Sequence, residues 1–130
     1  MLEVRFREDG RRRLSSVFSS GHAEQGAPGE DIACAAVSAL LQAAWIGLTD
    51  VAHVQVEGHR RSGDFLMRWP QETREREDVR AIVATAELAV AQIAKQYRGA
   101  IRYCREPEVD PPITPERQIR GTSASKGNQR

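Results

Sequence analysis

The chain has 130 residues, which is enough for one domain with one hydrophobic core. Its 19 lysines and arginines nearly balance its 18 acidic residues, so it lacks the basic excess of a dedicated nucleic-acid-binding protein. Its two cysteines are too few for a disulfide scaffold. We expect no signal peptide and no membrane partner, and therefore a cytoplasmic protein with reduced thiols.

A β-hairpin is predicted at the start of the chain. Apolar and charged residues alternate over residues 2–7, which is typical of a strand with one buried face. Asp9 and Gly10 suit a tight turn, so residues 11–20 are expected to return as an antiparallel strand.

A helix is predicted next, over residues 32–46. Asp31 is a good N-cap, the residues that follow are rich in Ala and Leu, and Gly47 suits the C-terminal end. Glycines and a proline within residues 24–30 predict a loop that could close over an extended substrate.

The second half of the chain repeats this order. Strands are predicted over residues 51–57 and 64–69, and residues 58–63 connect them as a second hairpin. A long amphipathic helix is expected to begin after a Thr73 cap and to end at Gly99, and a last strand follows it.

The resulting order of elements, β-β-α-β-β-α-β, predicts an α/β protein in the broad sense of the term. Within that group it belongs to the α+β class. We expect a single, mainly antiparallel sheet with the two helices packed on one face. The folded domain is predicted to span residues 1–105. Residues 106–130 are rich in Pro and small polar residues and are expected to form a disordered tail.

The start of the first predicted helix carries a candidate nucleophile. Cys34 lies in its first turn, where the positive end of the helix dipole and unpaired backbone N–H groups stabilise a thiolate. His22, one loop away, is a candidate general base. The only asparagine, Asn128, lies in the predicted tail, so we interpret the pair as a dyad without a papain-like orienting asparagine.

Two motifs in this region resemble those of the bacterial ribosomal-processing cysteine proteases. They are the step Gly21-His22-Ala23 and the run DIACAAVSAL over residues 31–40. The likeness extends more loosely over residues 1–105 through the order and lengths of the elements, whereas residues 106–130 have no counterpart.

This resemblance implies a cysteine endopeptidase in which Cys34 is the nucleophile and His22 the base, with Gly21, Asp31 and Ser38 as supporting residues. Proteases of that family remove the N-terminal extension of a large-subunit ribosomal protein during ribosome maturation, and they are usually homodimers. The resemblance also implies that the loop after His22 is mobile.

Some of these residues have a simpler interpretation. Cysteine is among the residue types most often buried, so Cys34 could be structural, and Ser38 could hydrogen-bond back to its own helix. Cys104, late in the last strand, is interpreted as structural. No zinc-ligand spacing is present, so we expect neither a metal nor a cofactor.

A rival function is a non-catalytic, ribosome-associated module that binds RNA or protein. Such a module would use the arginines at the two hairpins, Arg11–Arg13 and Arg60–Arg61. Solvated turn charges are the favoured interpretation of these arginines, so no direct nucleic-acid partner is required. The presence of both His22 and Cys34 favours the protease over this module.

Overall fold

The computed structural model describes residues 1–21, 30–61 and 63–108. The elements are, in chain order, β1 (Leu2–Glu8), β2 (Leu14–Ser20), α1 (Glu30–Ile46), β3 (Glu57–Arg61), β4 (Asp64–Arg68), α2 (Glu77–Gln96) and β5 (Ile101–Pro107). The predicted order β-β-α-β-β-α-β is confirmed.

The strands form one five-stranded sheet in the order β3-β4-β2-β1-β5. The neighbours β3 and β4, β4 and β2, and β2 and β1 are antiparallel, whereas β1 and β5 are parallel. The predicted single, mainly antiparallel sheet is therefore confirmed.

One face of this sheet and the two helices form the hydrophobic core. The predicted alternation holds in β1, where Leu2, Val4 and Phe6 are at most 4% exposed. Other core members are Val17, Phe65, Met67 and Ile101 from the strands and Ala33, Val37, Leu41, Val79, Val83 and Val90 from the helices. Because these residues belong to one cluster, both helices pack on the same face of the sheet.

The opposite face of the sheet is covered by neither α1 nor α2. The strand register places Cys104, Arg5, Phe18 and Leu66 in one row across four strands. Arg5 forms an ion pair with Glu106 from the neighbouring strand, 3.4 Å between Nη1 and Oε1. This open face thus mixes apolar and charged side chains.

The structure corrects the predicted strand over residues 51–57. Gly47–Val51 instead continues α1 as a wider π-helical turn, and the Val54 N–H donates to the Leu48 carbonyl at 2.7 Å. Val54 is buried at 4% exposure. The alternating apolar residues that predicted a strand therefore lie in a loop, and this loop packs against the core.

Strand β3 begins later than predicted. It includes residues 58–61, which are predicted from the sequence to form the connecting turn. Most of its side chains are charged or polar and exposed. It is the edge strand of the sheet, where a buried apolar face is not required.

The second helix also begins later than predicted. Thr73 ends a 3₁₀ turn over Gln71–Thr73, and its hydroxyl donates to the Pro70 carbonyl at 2.7 Å instead of capping α2. Strand β5 continues to Pro107, so residues 106 and 107 belong to the sheet and not to the tail. Residues 109–130 of the predicted tail lie outside the described residues.

One helical segment is long enough to span a membrane, which the sequence analysis did not predict. Asp31–Val51 is helical, 21 residues long and apolar enough to do so. One side of this segment packs against the sheet, with Val37 and Leu41 at 0% and 1% exposure. That burial is the arrangement of a core helix in a folded domain.

Candidate active site

A cleft of about 390 Å³ lies between the N-terminal half of α1 and the ends of the central strands. We call it the Cys34 cleft. Its walls are formed by Cys34, Ala35, Ser38, Leu41 and Gln42 of α1, by Leu2, Ser19 and Gly21 of the first hairpin, and by Arg60, Arg61, Gly63, Asp64 and Phe65 of the second.

Cys34 is half-buried on the cleft wall and is not in a disulfide. It is the fifth residue of α1, because the helix begins at Glu30, two residues earlier than predicted. The first four backbone N–H groups of a helix have no intrahelical acceptor, and here they lie within the turn that precedes Cys34. The thiol is thus exposed to the cleft and close to the positive end of the helix dipole.

Asp31 does not occupy the predicted N-cap position. It is the second residue of α1, it is exposed, and it is not among the residues that form the cleft walls. An acidic residue in the first turn of a helix is favourable to the helix dipole, so its contribution is to α1 itself.

Gly21 lies on the cleft wall directly after β2, and the position requires glycine for two reasons. Its φ of +92° is in the region that side chains disfavour. A Cβ atom there would also lie 2.6 Å from the Met1 carbonyl oxygen. The Gly21 N–H donates to the Gly63 carbonyl at 3.0 Å, which ties the end of β2 to the start of β4.

The structure thus brings Cys34, Ser38 and Gly21 to one cleft. Ser38 is exposed, one turn after Cys34 on the same helix. His22, the predicted base, lies outside the described residues, as do residues 22–29 of the predicted mobile loop.

Sequence reasoning missed the aromatic and cationic wall of the cleft. Trp45 packs edge-on against Phe65, with 5.9 Å between ring centroids. The Arg60 guanidinium stacks on Trp45 at 4.6 Å from the ring centroid. Arg60 is therefore not only a solvated turn charge. The contact joins α1 to β3, two elements whose packing no local sequence pattern reveals.

Cys104 lies far from this cleft, in β5 on the open face of the sheet. Burial, followed by the nearby Glu106 carboxylate, raises the pKa of the Cys104 thiol above its usual range. Its Sγ lies 3.9 Å from Glu106 Oε1. These surroundings disfavour the thiolate, as expected for a structural cysteine.

The cleft has two of the features that covalent catalysis on a peptide uses. It combines an accessible thiol with backbone N–H donors at the start of α1, which can stabilise an oxyanion. Within residues 1–21, 30–61 and 63–108, no group of three or more His, Cys, Asp or Glu side chains forms a metal site.

Residues 1–102 match the family model of the cysteine protease Prp. Among solved structures, the fold is similar to the essential ribosomal processing protease Prp of S. aureus in complex with a substrate peptide. That comparison has a TM-score of 0.73 at 21% identity and covers 81% of this chain and 99% of that chain.

Two further structures show the same fold. The S. aureus protease with a covalently linked product peptide matches with a TM-score of 0.70 at 22% identity, over 81% of this chain and 99% of that chain. SMU.848 of Streptococcus mutans matches with a TM-score of 0.69 at 23% identity, over 83% and 96%. No curated protein matches the chain.

At such low identity, the solved structures establish the fold. The family model covers the whole of β1 to α2 and the start of β5, and so includes every residue of the Cys34 cleft. The chain belongs to the cysteine protease Prp family.

Proposed function

We propose that this cysteine protease is a cytoplasmic endopeptidase that removes the N-terminal extension of a large-subunit ribosomal protein, with Cys34 as nucleophile and His22 as base. The observation that carries the proposal is the position of Cys34, half-buried in a cleft whose wall also carries Gly21. The next residue in the sequence after Gly21 is His22.

In the proposed reaction, the Cys34 thiolate attacks the carbonyl carbon of the scissile peptide bond while His22 holds the proton from the thiol. His22 then donates that proton to the leaving amine, and a thioester to Cys34 remains. The leaving amine is the new N-terminus of the shortened protein, so the thioester holds the extension. His22 next takes a proton from water, which attacks the thioester and releases the extension as a carboxylic acid, and the proton returns to the Cys34 thiolate. Backbone N–H groups at the start of α1 stabilise the oxyanion in both steps.

The supporting residues have separate roles in this proposal. Gly21 positions the backbone that leads to His22, because only glycine fits its φ and the close Met1 carbonyl. The exposed hydroxyl of Ser38 faces the same cleft and is available to a bound peptide. Asp31 stabilises the start of α1 through the helix dipole.

The form of the cleft suits an extended peptide. Phe65 supplies an apolar surface beside the cationic Arg60 and Arg61. The two similar S. aureus structures are complexes, one with a substrate peptide and the other with a covalently linked product peptide. A peptide from a ribosomal protein extension is the corresponding substrate that we propose here.

We further propose that the protein is a homodimer and that, of the predicted tail 106–130, residues 109–130 are dispensable for folding and activity. The open face of the sheet carries Phe18 and Leu66 in one row, and a second copy of the chain would cover them. The boundary of the folded part is best placed after Glu108, because its N–H donates to the Glu8 carbonyl at 2.8 Å.

The test uses a ribosomal-protein N-terminal peptide with its extension, and mass spectrometry of the products. The full-length chain should cleave the peptide at one site, whereas Cys34→Ala and His22→Ala should leave it intact. The matched control is Cys104→Ala, which removes the other thiol and should cleave like the unmodified chain.

Cleavage by Cys34→Ala at the unmodified rate would overturn the mechanism. A folded full-length chain that binds the peptide but never cleaves it would favour the non-catalytic module instead. Replacement of His22 without loss of turnover would assign the base to another group while Cys34 keeps its role.

A further inference from the structure

A second cavity, of about 440 Å³, lies at the opposite end of the sheet from the Cys34 cleft. Six arginines form its walls: Arg11, Arg12, Arg13, Arg74, Arg80 and Arg105. Two glutamates, Glu75 and Glu87, are the acidic residues among its lining. We call it the arginine pocket. A chain whose overall charge is only +1 thus places six of its 19 lysines and arginines around one cavity.

Half of these arginines already have carboxylate partners. Arg13 Nη2 and Arg74 Nη1 each lie 3.0 Å from Asp9 Oδ2. Arg105 pairs with Glu8 at 3.0 Å and with Glu87 at 3.1 Å. The positive charges of these three side chains are therefore balanced by carboxylates of the protein itself.

The other three arginines differ. Arg11, Arg12 and Arg80 are exposed, and within the part of the chain that the structure describes no carboxylate lies within 4.0 Å of their guanidinium groups. Two come from the β1–β2 turn and one from α2, so they approach the pocket from different sides. Their charges are available to an anionic ligand.

The turn that carries Arg11 and Arg12 is held in place before any ligand binds. The Asp9 carboxylate accepts hydrogen bonds from the backbone N–H groups of Arg11 at 2.9 Å and Arg13 at 3.1 Å. Although burial opposes its ionisation, these bonds and those from the side chains of Arg74 and Arg13 lower the pKa of Asp9 to about 2. The turn is thus fixed by a carboxylate that stays ionised at neutral pH.

Arg12 occupies a conformation that a side chain disfavours. Its φ is 63°, in the left-handed region where glycine is the least strained residue. Its carbonyl accepts a hydrogen bond from Arg105 Nη2 at 3.4 Å. A strained residue held by its surroundings is typical of a functional site. What distinguishes arginine from glycine here is its exposed guanidinium.

The chemistry of the lining selects among anionic ligands. Guanidinium groups match phosphate oxygens as bidentate donors. None of the described residues that line the pocket is aromatic, so they offer no surface on which bases of a single strand could stack. It also has few apolar residues, Leu14, Val83 and Ala84, to anchor the side chains of an acidic peptide. The lining therefore suits phosphate groups on a backbone whose bases need no stacking surface, as in a nucleic-acid duplex.

We propose that the arginine pocket binds the phosphate backbone of double-stranded RNA, without reading its sequence. Six residue steps of β1 separate Leu2 in the Cys34 cleft from Glu8 beside the pocket, which is about 20 Å of strand. The two sites are therefore separate and share no lining residue. This binding does not depend on the proposed protease mechanism.

The test measures fluorescence anisotropy of a labelled RNA duplex with the full-length Cys34→Ala chain between about 50 and 200 mM salt. Arg11→Gln/Arg80→Gln should weaken binding about tenfold or more and lower the salt slope by about 2, because two phosphate contacts are removed. The charge-matched control is Lys95→Gln/Arg98→Gln at the end of α2, which should change the dissociation constant less than about threefold.

A second variant separates binding from folding. Arg12→Gly removes a guanidinium and relieves the positive φ, so it should raise or preserve the melting temperature while weakening RNA binding. Unchanged RNA binding by Arg12→Gly, or equal losses in the pocket and control pairs, would overturn the proposal.

Competition with unlabelled anions shows which class of anion the arginine pocket prefers. Polyglutamate and inorganic phosphate should displace the labelled duplex only at concentrations far above that of unlabelled duplex. Displacement by polyglutamate as effective as by duplex would assign the pocket to an acidic protein instead. Displacement by micromolar phosphate would assign it to a small anion.

Discussion

The two ends of the sheet differ in how their polar groups are used. At the Cys34 end, the cleft is lined by a free thiol, an exposed serine and a glycine in a strained conformation. At the other end, Asp9 joins the β1–β2 turn to Arg74 beyond β4 through ion pairs and backbone hydrogen bonds. This small domain thus exposes a thiol at one end, whereas at the other end ion pairs fix the β1–β2 turn beside three exposed arginines.

The largest effect is expected at Gly21, and Gly10 at the opposite end of the sheet serves as its control. Gly21→Ala should destabilise the fold by about 2 kcal/mol, because it places a side chain at φ +92° and against the Met1 carbonyl. It should also lower peptide cleavage about a hundredfold, since backbone geometry beside His22 changes. Denaturant unfolding and a cleavage assay measure both effects.

The control is Gly10→Ala at the other end. A Cβ atom there meets nothing within 4 Å, so stability and cleavage should be unchanged. If Gly21→Ala and Gly10→Ala behave alike, the two ends of the sheet do not differ as described.

The next effect concerns Asp9. Asp9→Asn should lower the free energy of unfolding by about 1 to 2 kcal/mol at neutral pH, because two arginines lose their shared carboxylate. Cleavage at room temperature should stay within about twofold, since the cleft lies at the other end. A larger loss of cleavage than of stability would show that the two ends are coupled.

The same variant has a pH signature. The folded-state pKa of Asp9, about 2, is below its ordinary value of 3.8, so its stabilisation is complete above 3.8 and is lost as the pH falls towards 2. Acid unfolding of Asp9→Asn should lack this component, and thermal melts across that range measure it.

A smaller effect distinguishes the two cysteines. Cys34 should react with iodoacetamide about tenfold faster than Cys104 near neutral pH, because Cys34 lines an open cleft whereas burial and the nearby Glu106 raise the pKa of the Cys104 thiol. Mass-spectrometric labelling of the native protein measures both rates in one sample. Equal, slow labelling would indicate that Cys34 is inert.

The smallest effect is expected from the tail. Truncation after Glu108 should leave the melting temperature, the cleavage rate and the dimer unchanged, because the last described contacts of the chain end there. Truncation after Cys104 should unfold the protein, since it removes half of β5. Light scattering and thermal melts compare the two; a monomer in the full-length chain would refute the dimer.

Much of the fold could be predicted because local patterns determine it. The alternation in β1 and the amphipathic pattern of α2 identify their elements directly, and the order of elements leads to one sheet with both helices on one face. The errors fall where local signals were ambiguous. Val54 and Val56 alternate like a strand, but the preceding helix continues through Gly47 and places them in a loop.

The candidate site was predicted only in part for the same reason. Cys34 and Gly21 stand in short motifs, so the sequence identifies them. Arg60, Trp45 and Phe65 meet only through tertiary packing between α1 and the second hairpin. The arginine pocket likewise joins the first turn of the chain to α2 and β5, at sequence separations that no motif spans.

The pairing of β1 with β5 also has a consequence for the order of events during biosynthesis. The Leu2 N–H donates to the Ala100 carbonyl at 2.8 Å, and Leu2 forms part of the Cys34 cleft. Strand β1 is synthesised before β5, so one edge of β1 stays uncovered until β5 has been made. Contacts between residues so distant along the chain also form slowly. A nascent chain that carries both His22 and Cys34 thus acquires its finished cleft only when nearly all of the described domain has been synthesised.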